Sequence, residues 1–262
     1  MRKILSAILL AAVSASLVWA GSPQRREKTE PSGHAFRIDA IQAWKSDPCR
    51  VRLQVKYFID PAAPQTCLIG AYVPSRAAMA DFELKPAGKR NGVPKGEQSY
   101  SEDIIIDLHY LGLKPYVSSS IEVVIFDGSG PLCSKTIAWG REWTRFAIQG
   151  INPVKVAADY AKIQVGYFID PTYPHACYIS GFTRDLNNNG NNDFKNIPAG
   201  FNPDGLPKGK KNFGDNLSFE LLYKGTVLHK SSSLDVVIYN PRQNLLWATF
   251  QWGQIWKPQG KR

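Results

Sequence analysis

The sequence predicts an all-β protein of two tandem antiparallel β-sandwich domains, and three observations lead to this prediction. The segment Gln54–Pro61 recurs as Gln164–Pro171 with seven of eight residues identical, which indicates an internal duplication. Apolar residues alternate with polar residues along several segments of each copy, as they do in half-buried strands. Turn-forming residues such as Asp60-Pro61 separate these segments, whereas helical periodicity is nearly absent.

The duplication extends along most of the chain. The offset between matching residues is 110 at Cys67 and Cys177, and it grows to 113 further downstream. Other matching pairs are Phe36 and Phe146, Val93–Gly96 and Leu206–Gly209, Trp139 and Trp252, and Trp143 and Trp256. The duplicated unit is therefore about 110 residues long. We expect the repeated tryptophans to pack in the two cores, because large aromatic side chains dominate sandwich interiors.

Each unit is predicted to contain about seven strands. In the first unit these are 36–44, 50–59, 66–73, 82–85, 101–110, 119–126 and 134–143. In the second unit they are 146–151, 161–169, 176–183, 194–197, 216–223, 232–239 and 246–256. Seven short strands in roughly a hundred residues are typical of an antiparallel sandwich. A helical turn is predicted only at Ser75–Ala80.

The first residues have the layout of a secretory signal peptide. Arg2 and Lys3 precede the apolar stretch Ile4–Val18, and small residues follow near Ala20. The predicted organisation is a signal peptide at 1–20, a flexible segment at 21–34, repeat 1 at 35–143, repeat 2 at 146–256 and a basic tail at 257–262. An uncleaved N-terminal anchor is the alternative. No later stretch is long and apolar enough for a transmembrane span, so the mature chain is expected to be secreted, periplasmic or at the cell surface.

The number and spacing of the strands resemble those of immunoglobulin-like and fibronectin-III-like domains. The resemblance is architectural, covers both units and involves no family-defining motif. It implies that Cys67 and Cys133 lie at the same end of repeat 1. We therefore expect a Cys67–Cys133 disulfide and a Cys49–Cys177 disulfide between the repeats, since four cysteines in an exported chain favour disulfides. A Cys49–Cys133 bridge is the alternative, with Cys67 and Cys177 as matched core thiols.

An Asn-rich loop in repeat 2 has the spacing of a calcium-binding loop. Asp185, Asn187, Asn189 and Asp193 occupy positions 1, 3, 5 and 9, with a glycine at position 6. Asn196 replaces the bidentate Glu of position 12, so calcium, the one cofactor that the sequence suggests, is expected to bind weakly. The alternative is a plain turn whose Asn and Gly residues tolerate a left-handed backbone.

The chain is basic, with 32 Lys and Arg against 22 Asp and Glu and a formal net charge of +10. We expect an anionic polysaccharide or envelope surface as the partner. The candidate ligand-binding residues are Lys95, Lys208, Lys210 and Lys211, together with Tyr173 and Phe201, which the duplicated core does not require. The alternative is a solvated basic surface that aids solubility. Nucleic acid is not expected as a partner, because no motif that reads DNA or RNA occurs.

No catalytic motif is found in the sequence. It lacks the Gly-x-Ser-x-Gly elbow, a phosphate-binding Gly-rich loop and the His-Glu-x-x-His motif. The sequence therefore predicts an exported, non-catalytic binding or adhesion module of the cell envelope. The alternatives are a secreted hydrolase with a site at the domain junction and a structural or assembly subunit that binds another envelope protein.

Overall fold

The computed structural model describes residues 35–88, 91–185, 193–200, 202–213 and 217–258. The predicted signal peptide (1–20), the predicted segment 21–34 and Phe201 lie outside these residues. Ala35–Arg262 form one compact unit. Within the described part of the chain, no helix combines the length and the apolar character needed to cross a membrane.

Repeat 1 forms two antiparallel sheets. Its elements are β1 (Phe36–Asp47), β2 (Arg50–Ile59), β3 (Leu68–Tyr72), α1 (Arg76–Met79), β4 (Phe82–Lys85), β5 (Gly96–Ser99), β6 (Ile105–Tyr110), β7 (Tyr116–Asp127) and β8 (Gly130–Trp143). One sheet has the order β1-β2-β6-β4 with β5 beside β2, and the other has the order β3-β7-β8. These are the A-B-E-D and C-F-G orders of an immunoglobulin-type sandwich.

Repeat 2 builds the same pair of sheets. Its strands are β9 (Phe146–Val156), β10 (Tyr160–Ile169), β11 (Tyr178–Asp185), β12 (Phe194–Ile197), β13 (Gly209–Lys211), β14 (Ser218–Tyr223), β15 (His229–Tyr239) and β16 (Asn244–Trp256). β9 and β14 flank β10, β12 pairs with β14, and β11-β15-β16 form the second sheet. The predicted fold class, two tandem antiparallel β-sandwiches, is confirmed.

The predicted strand at 101–110 is wrong at its start. β2 pairs with β5 over Lys56–Ile59 and with β6 over Arg50–Gln54, so two short strands share one neighbour. Between them the backbone turns at Tyr100, whose φ is +45°, and the Ser101 carbonyl accepts the amide of Ile104 at 3.1 Å. A non-glycine residue in the left-handed region is uncommon, and here it interrupts what would otherwise be one continuous strand.

Each repeat has its own hydrophobic core, and one residue of repeat 2 belongs to the core of repeat 1. Trp143 and Trp256 end the last strands of the repeats and are 1% and 0% exposed, and Trp252 is also buried, as predicted. Trp139 is only partly buried and packs against the core of repeat 1. Phe168 of repeat 2 is buried against the core of repeat 1, and Ala147 packs beside it. The repeats therefore share an apolar contact at their junction.

Gly181 on β11 is expected to tolerate no larger side chain. A Cβ added there would collide with the Phe219 ring, which fills the core at this point. In repeat 1 the residue equivalent to Gly181 is Ala71, because Ala71 pairs with Val123 as Gly181 pairs with Val236. The residue equivalent to Phe219 is Ile106, which pairs with β2 as Phe219 pairs with β10. We expect Gly181→Ala to lower the free energy of unfolding by about 1–3 kcal/mol through overpacking.

The second change Phe219→Ile in the Gly181→Ala background restores the combination that repeat 1 already uses. Denaturant unfolding of the single and double variants measures the coupling between the two positions. We expect the double variant to regain stability relative to Gly181→Ala alone, and simple additivity of two losses would contradict this account of the core.

Candidate functional site: a basic pocket beside the repeat junction

The turn between β1 and β2 builds one side of the candidate site. Asp47 Oδ1 accepts the backbone amide of Cys49 at 3.0 Å, which reverses the chain. Across the resulting hairpin Lys45 pairs with Arg52, and Asp47 pairs with Arg50. These four side chains and Ser46 line a small pocket of about 90 Å³.

The pocket carries more positive than negative charge. Three of its lining side chains, Lys45, Arg50 and Arg52, are cations, and one, Asp47, is a carboxylate. Arg50 Nε and Arg52 Nε each lie 3.4 Å from the carboxylate of Asp107 on the neighbouring strand β6. Two guanidinium groups held by one carboxylate keep donors available for an acidic ligand, and arginine suits bidentate contacts with carboxylate or phosphate.

A further cation stands at the edge of the pocket. Arg141 Nη1 on β8 lies 3.3 Å from Ser46 Oγ, and its guanidinium carbon lies 4.9 Å from the centre of the Trp139 ring. Trp139 in turn stacks on Trp143 at 5.5 Å. The stacked ring orients the guanidinium by a cation–π contact, so Arg141 extends the positive surface from β1 to β8.

Arg50 connects the pocket with a buried polar cluster at the junction of the repeats. Its Nη2 donates to His109 Nδ1 at 3.1 Å. We infer that Nδ1 is an acceptor and that Nε2 carries the ring proton. Nε2 lies 3.3 Å from Asp170 Oδ2, although the geometry falls short of a well-formed hydrogen bond. Repeat 1 supplies Arg50 and His109, whereas repeat 2 supplies Asp170.

Asp170 is the centre of this cluster and is 1% exposed. Arg145 Nε donates to Asp170 Oδ2 at 2.6 Å, and the Thr172 amide donates to Oδ1 at 2.9 Å. Burial alone would raise the pKa of Asp170, but the His109 ring, the Thr172 amide and the Arg145 cation together hold the pKa well below its usual range. Asp170 is therefore a carboxylate that neutralises a nearly buried arginine.

Cys49 belongs to the same cluster but is not poised as a nucleophile. Cys49 is 1% exposed, and its sulfur lies 3.4 Å from Asp47 Oδ1. Burial raises the pKa of the Cys49 thiol far above its ordinary value, and the negative charges of Asp47 and Asp170 raise it further. A nucleophilic cysteine needs a lowered pKa and an accessible sulfur, so the environment of Cys49 is the reverse of a catalytic one.

The structure separates the predicted ligand-binding residues from this site. The ammonium groups of Lys95 and Lys208 donate to the backbone carbonyls of Ala63 and Tyr173, so both lysines brace turns. Lys210 and Lys211 lie on β13 of repeat 2. Phe201 lies outside the described residues.

Tyr173, one of the predicted ligand-binding residues, is buried at the junction of the repeats. Its side chain is 4% exposed, and its hydroxyl accepts a hydrogen bond from Asn240 Nδ2 at 2.8 Å. The Arg145 guanidinium lies 5.0 Å from the ring centre, and Phe146 packs on the ring edge. Tyr173 therefore serves the junction, because it covers the arginine that pairs with Asp170.

Most of the predicted calcium loop lies outside the described residues. Asn187 and Asn189 are not described, and Asp185 is described only in its backbone, at the end of β11. The Asp193 carbonyl accepts the amide of Lys224 at 2.6 Å. Calcium binding at this loop stays a prediction.

Neither predicted disulfide is formed in the structure, where all four cysteines are free thiols. Cys49 is directed to Asp47 and to the His109 and Asp170 pair instead of to Cys177. Cys67 and Cys177 are buried, and each sulfur approaches the backbone carbonyl two residues before it, in Gln65 and His175. Cys133 pairs with Ile125 in the β7–β8 ladder. The even number of cysteines suggested bridges, but these surroundings bring no two of the sulfurs into a bond.

Comparison of equivalent positions in the two repeats distinguishes the residues at the junction. Asp60 and Asp170 make the same turn, since each donates its amide to the residue that precedes the first strand of its repeat. That residue is Ala35 in repeat 1 and Arg145 in repeat 2. By the same register, Ala62 and Ala63 correspond to Thr172 and Tyr173, and Cys49 and His109 correspond to Asp159 and Leu222. Each of these junction residues therefore differs from the residue at the matching position of the other copy.

No family model matches this sequence, and no curated protein matches it. Several solved structures resemble it weakly. A two-domain fibronectin type-III segment of chicken tenascin is 10% identical, covers 83% of this chain and 99% of that chain, and has a TM-score of 0.28. The FN1–FN3 domains of chicken CNTN1 are 8% identical over 84% of this chain and 67% of that chain, with a TM-score of 0.25. The human desmocollin-1 ectodomain is 14% identical over 87% of this chain and 50% of that chain, with a TM-score of 0.23. The description of each repeat as an immunoglobulin-type sandwich rests on its sheet order.

Proposed function

We propose that the protein is an exported, non-catalytic binding module of the cell envelope whose basic pocket engages acidic groups of an anionic glycan or other envelope component. The observation that carries this proposal is the grouping of Lys45, Arg50 and Arg52 around one pocket on the β1–β2 hairpin. Carboxylate, sulfate and phosphate groups are the ligands that such donors recognise best.

Two further features support this ligand class. Arg141 adds a fourth cation at the pocket edge, through its contact with Ser46. Trp44, the neighbour of Lys45 in sequence, is 45% exposed and offers an apolar ring face to the solvent. An exposed ring next to cations suits a ligand that combines sugar faces with acidic groups. The protonated, buried thiol of Cys49 agrees with a binding role rather than a catalytic one.

The test is co-sedimentation of the protein with a uronate-containing polysaccharide, with neutral dextran as the reference ligand. We expect saturable binding to the uronate polymer that is strong at low salt and weak at 1 M salt, where charges are screened within about 3 Å. The double variant Lys45→Gln/Arg52→Gln is expected to bind roughly tenfold more weakly, because it removes two charge-assisted contacts. Arg50 is left intact because it also holds His109.

Lys210→Gln/Lys211→Gln is the matched control, since it removes the same charge from β13. Equal losses in the two double variants would mean that net charge alone drives binding and would contradict a defined site. Binding of the wild-type protein to dextran and the uronate polymer alike would exclude recognition of acidic groups.

A further inference from the structure

Three side chains capable of binding a metal meet at the junction of the repeats. Cys49 follows β1, His109 lies on β6, and Asp170 follows β10. One ligand atom from each residue lies within 4.8 Å of the others, and all three residues are buried. The ligands come from both repeats, so anything bound between them would hold the two sandwiches together.

The histidine is the ligand that the protein itself leaves least satisfied. His109 is 3% exposed, and its Nε2 lies 3.3 Å from Asp170 Oδ2 but forms no hydrogen bond of acceptable geometry within the described part of the chain. A buried polar atom without a hydrogen bond is costly, and metal coordination would remove that cost. This nitrogen is independent evidence for a ligand, in addition to the proximity of the three residues.

The donor set suits one class of metal. Thiolate sulfur, imidazole nitrogen and carboxylate oxygen are the ligands of zinc, which prefers four of them in a tetrahedron. Asp47 Oδ1 lies 3.4 Å from the Cys49 sulfur, but it does not belong to the group of ligand atoms that all lie within 4.8 Å of one another, so water would supply the fourth ligand. Tetrahedral zinc holds its ligand atoms about 3.5 Å apart. His109 Nε2 and Asp170 Oδ2 are already 3.3 Å apart, and the Cys49 sulfur, which lies within 4.8 Å of both, would move by about an ångström at most.

The surrounding residues can orient these ligands. Arg145 and Thr172 already hold the Asp170 carboxylate, as outer partners commonly hold a metal-binding carboxylate. When Nε2 binds a metal, the ring proton moves to Nδ1, which lies 3.7 Å from Glu83 Oε2. Arg50 then gives up its bond to His109 and keeps its second partner, Asp107.

We propose that Cys49, His109 and Asp170 form a zinc site that fastens repeat 1 to repeat 2. Binding forms a zinc–sulfur bond and releases the Cys49 thiol proton to solvent, without any change of oxidation state. Zinc would also protect this thiol from oxidation in an oxidising compartment. The proposal does not depend on the ligand of the basic pocket.

Titration of the full-length mature protein with Co²⁺ tests the site, because thiolate ligation of Co²⁺ gives a charge-transfer absorption band. We expect one equivalent of Co²⁺ to produce this band in the wild-type protein and in Cys133→Ser, and Zn²⁺ to abolish it. Cys49→Ser and His109→Asn are expected to lose the band while keeping the wild-type near-ultraviolet circular dichroism measured without metal. A band that persists in Cys49→Ser, or its absence from the wild-type protein, overturns the proposal.

A second measurement needs no variant and so does not depend on their folding. X-ray absorption of the zinc-loaded wild-type protein is expected to show one sulfur at about 2.3 Å and nitrogen or oxygen ligands at about 2.0–2.2 Å. A zinc shell of nitrogen and oxygen alone would overturn the assignment of Cys49.

Discussion

Exchange of Asp170 for Asn is expected to lower the free energy of unfolding by about 3–5 kcal/mol, because it leaves a buried arginine without its counter-charge. Arg145 is 7% exposed, and its Nε–Oδ2 distance to Asp170 is 2.6 Å. Its neighbours, the Leu111 carbonyl and the Tyr173 ring, supply no negative charge. Urea unfolding at neutral pH, followed by tryptophan fluorescence, measures the loss.

The duplication supplies a matched control for this prediction. Asp60→Asn changes the equivalent turn of repeat 1, in which Asp60 Oδ1 accepts the Ala62 amide at 2.8 Å and Ala35 replaces the arginine. We expect a loss of less than about 1 kcal/mol there, because the Oδ1 of an Asn side chain still accepts the Ala62 amide. Equal losses at the two positions would assign the effect to the turn and would refute the role of the ion pair.

Truncation of Trp256 to Ala is the second large effect, with an expected loss of about 3–5 kcal/mol. The side chain is fully buried, packs edge-on against Phe194 at 5.0 Å, and donates from Nε1 to Ser231 Oγ at 2.8 Å. Denaturant unfolding measures the change. Trp247→Ala, at a residue that is 50% exposed, is expected to cost less than about 1 kcal/mol.

The two buried tryptophans at the ends of the repeats differ in one respect that sharpens this prediction. Trp143 occupies the position of Trp256 in repeat 1, but its Nε1 has no hydrogen-bond partner among the residues that the structure describes. Trp256→Phe is therefore expected to cost about 1 kcal/mol more than Trp143→Phe, because only the former loses a hydrogen bond. A larger loss at Trp143 would contradict this reading of the two indole groups.

Much of the fold could be predicted because strand patterns are local. The alternation over Val51–Tyr57 and the turn at Asp60-Pro61 are visible in the sequence, and they recur in the second copy. β5 was missed because Gly96–Ser99 contains no apolar residue, and its pairing with β2 is decided by a distant neighbour. β5 forms because the chain comes back to pair with β2, and this distant pairing leaves no pattern in the local sequence.

The buried polar cluster beside the pocket was much harder to predict, because its members lie far apart in sequence. His109 and Asp170 stand in different repeats, and neither belongs to a recognised motif. The lysines chosen from sequence were ordinary clusters of charge, and two of them hold backbone carbonyls. The sequence did not predict the pocket, because Lys45, Arg50 and Arg52 line one surface only when the β1–β2 hairpin places Lys45 opposite Arg52.

The contact at the junction also has a direction. Repeat 1 contributes Cys49 and His109 from one of its ends. Repeat 2 contributes Arg145 and Asp170 from the end that faces repeat 1. Each repeat carries one of these two sets of residues. Where repeat 2 has the position of His109, it carries Leu222, and where repeat 1 has the position of Arg145, it carries Ala35. Head-to-tail contacts that every copy can repeat lead to filaments. Because the two copies have diverged at these positions, neither outer end of the pair carries the residues that form this contact.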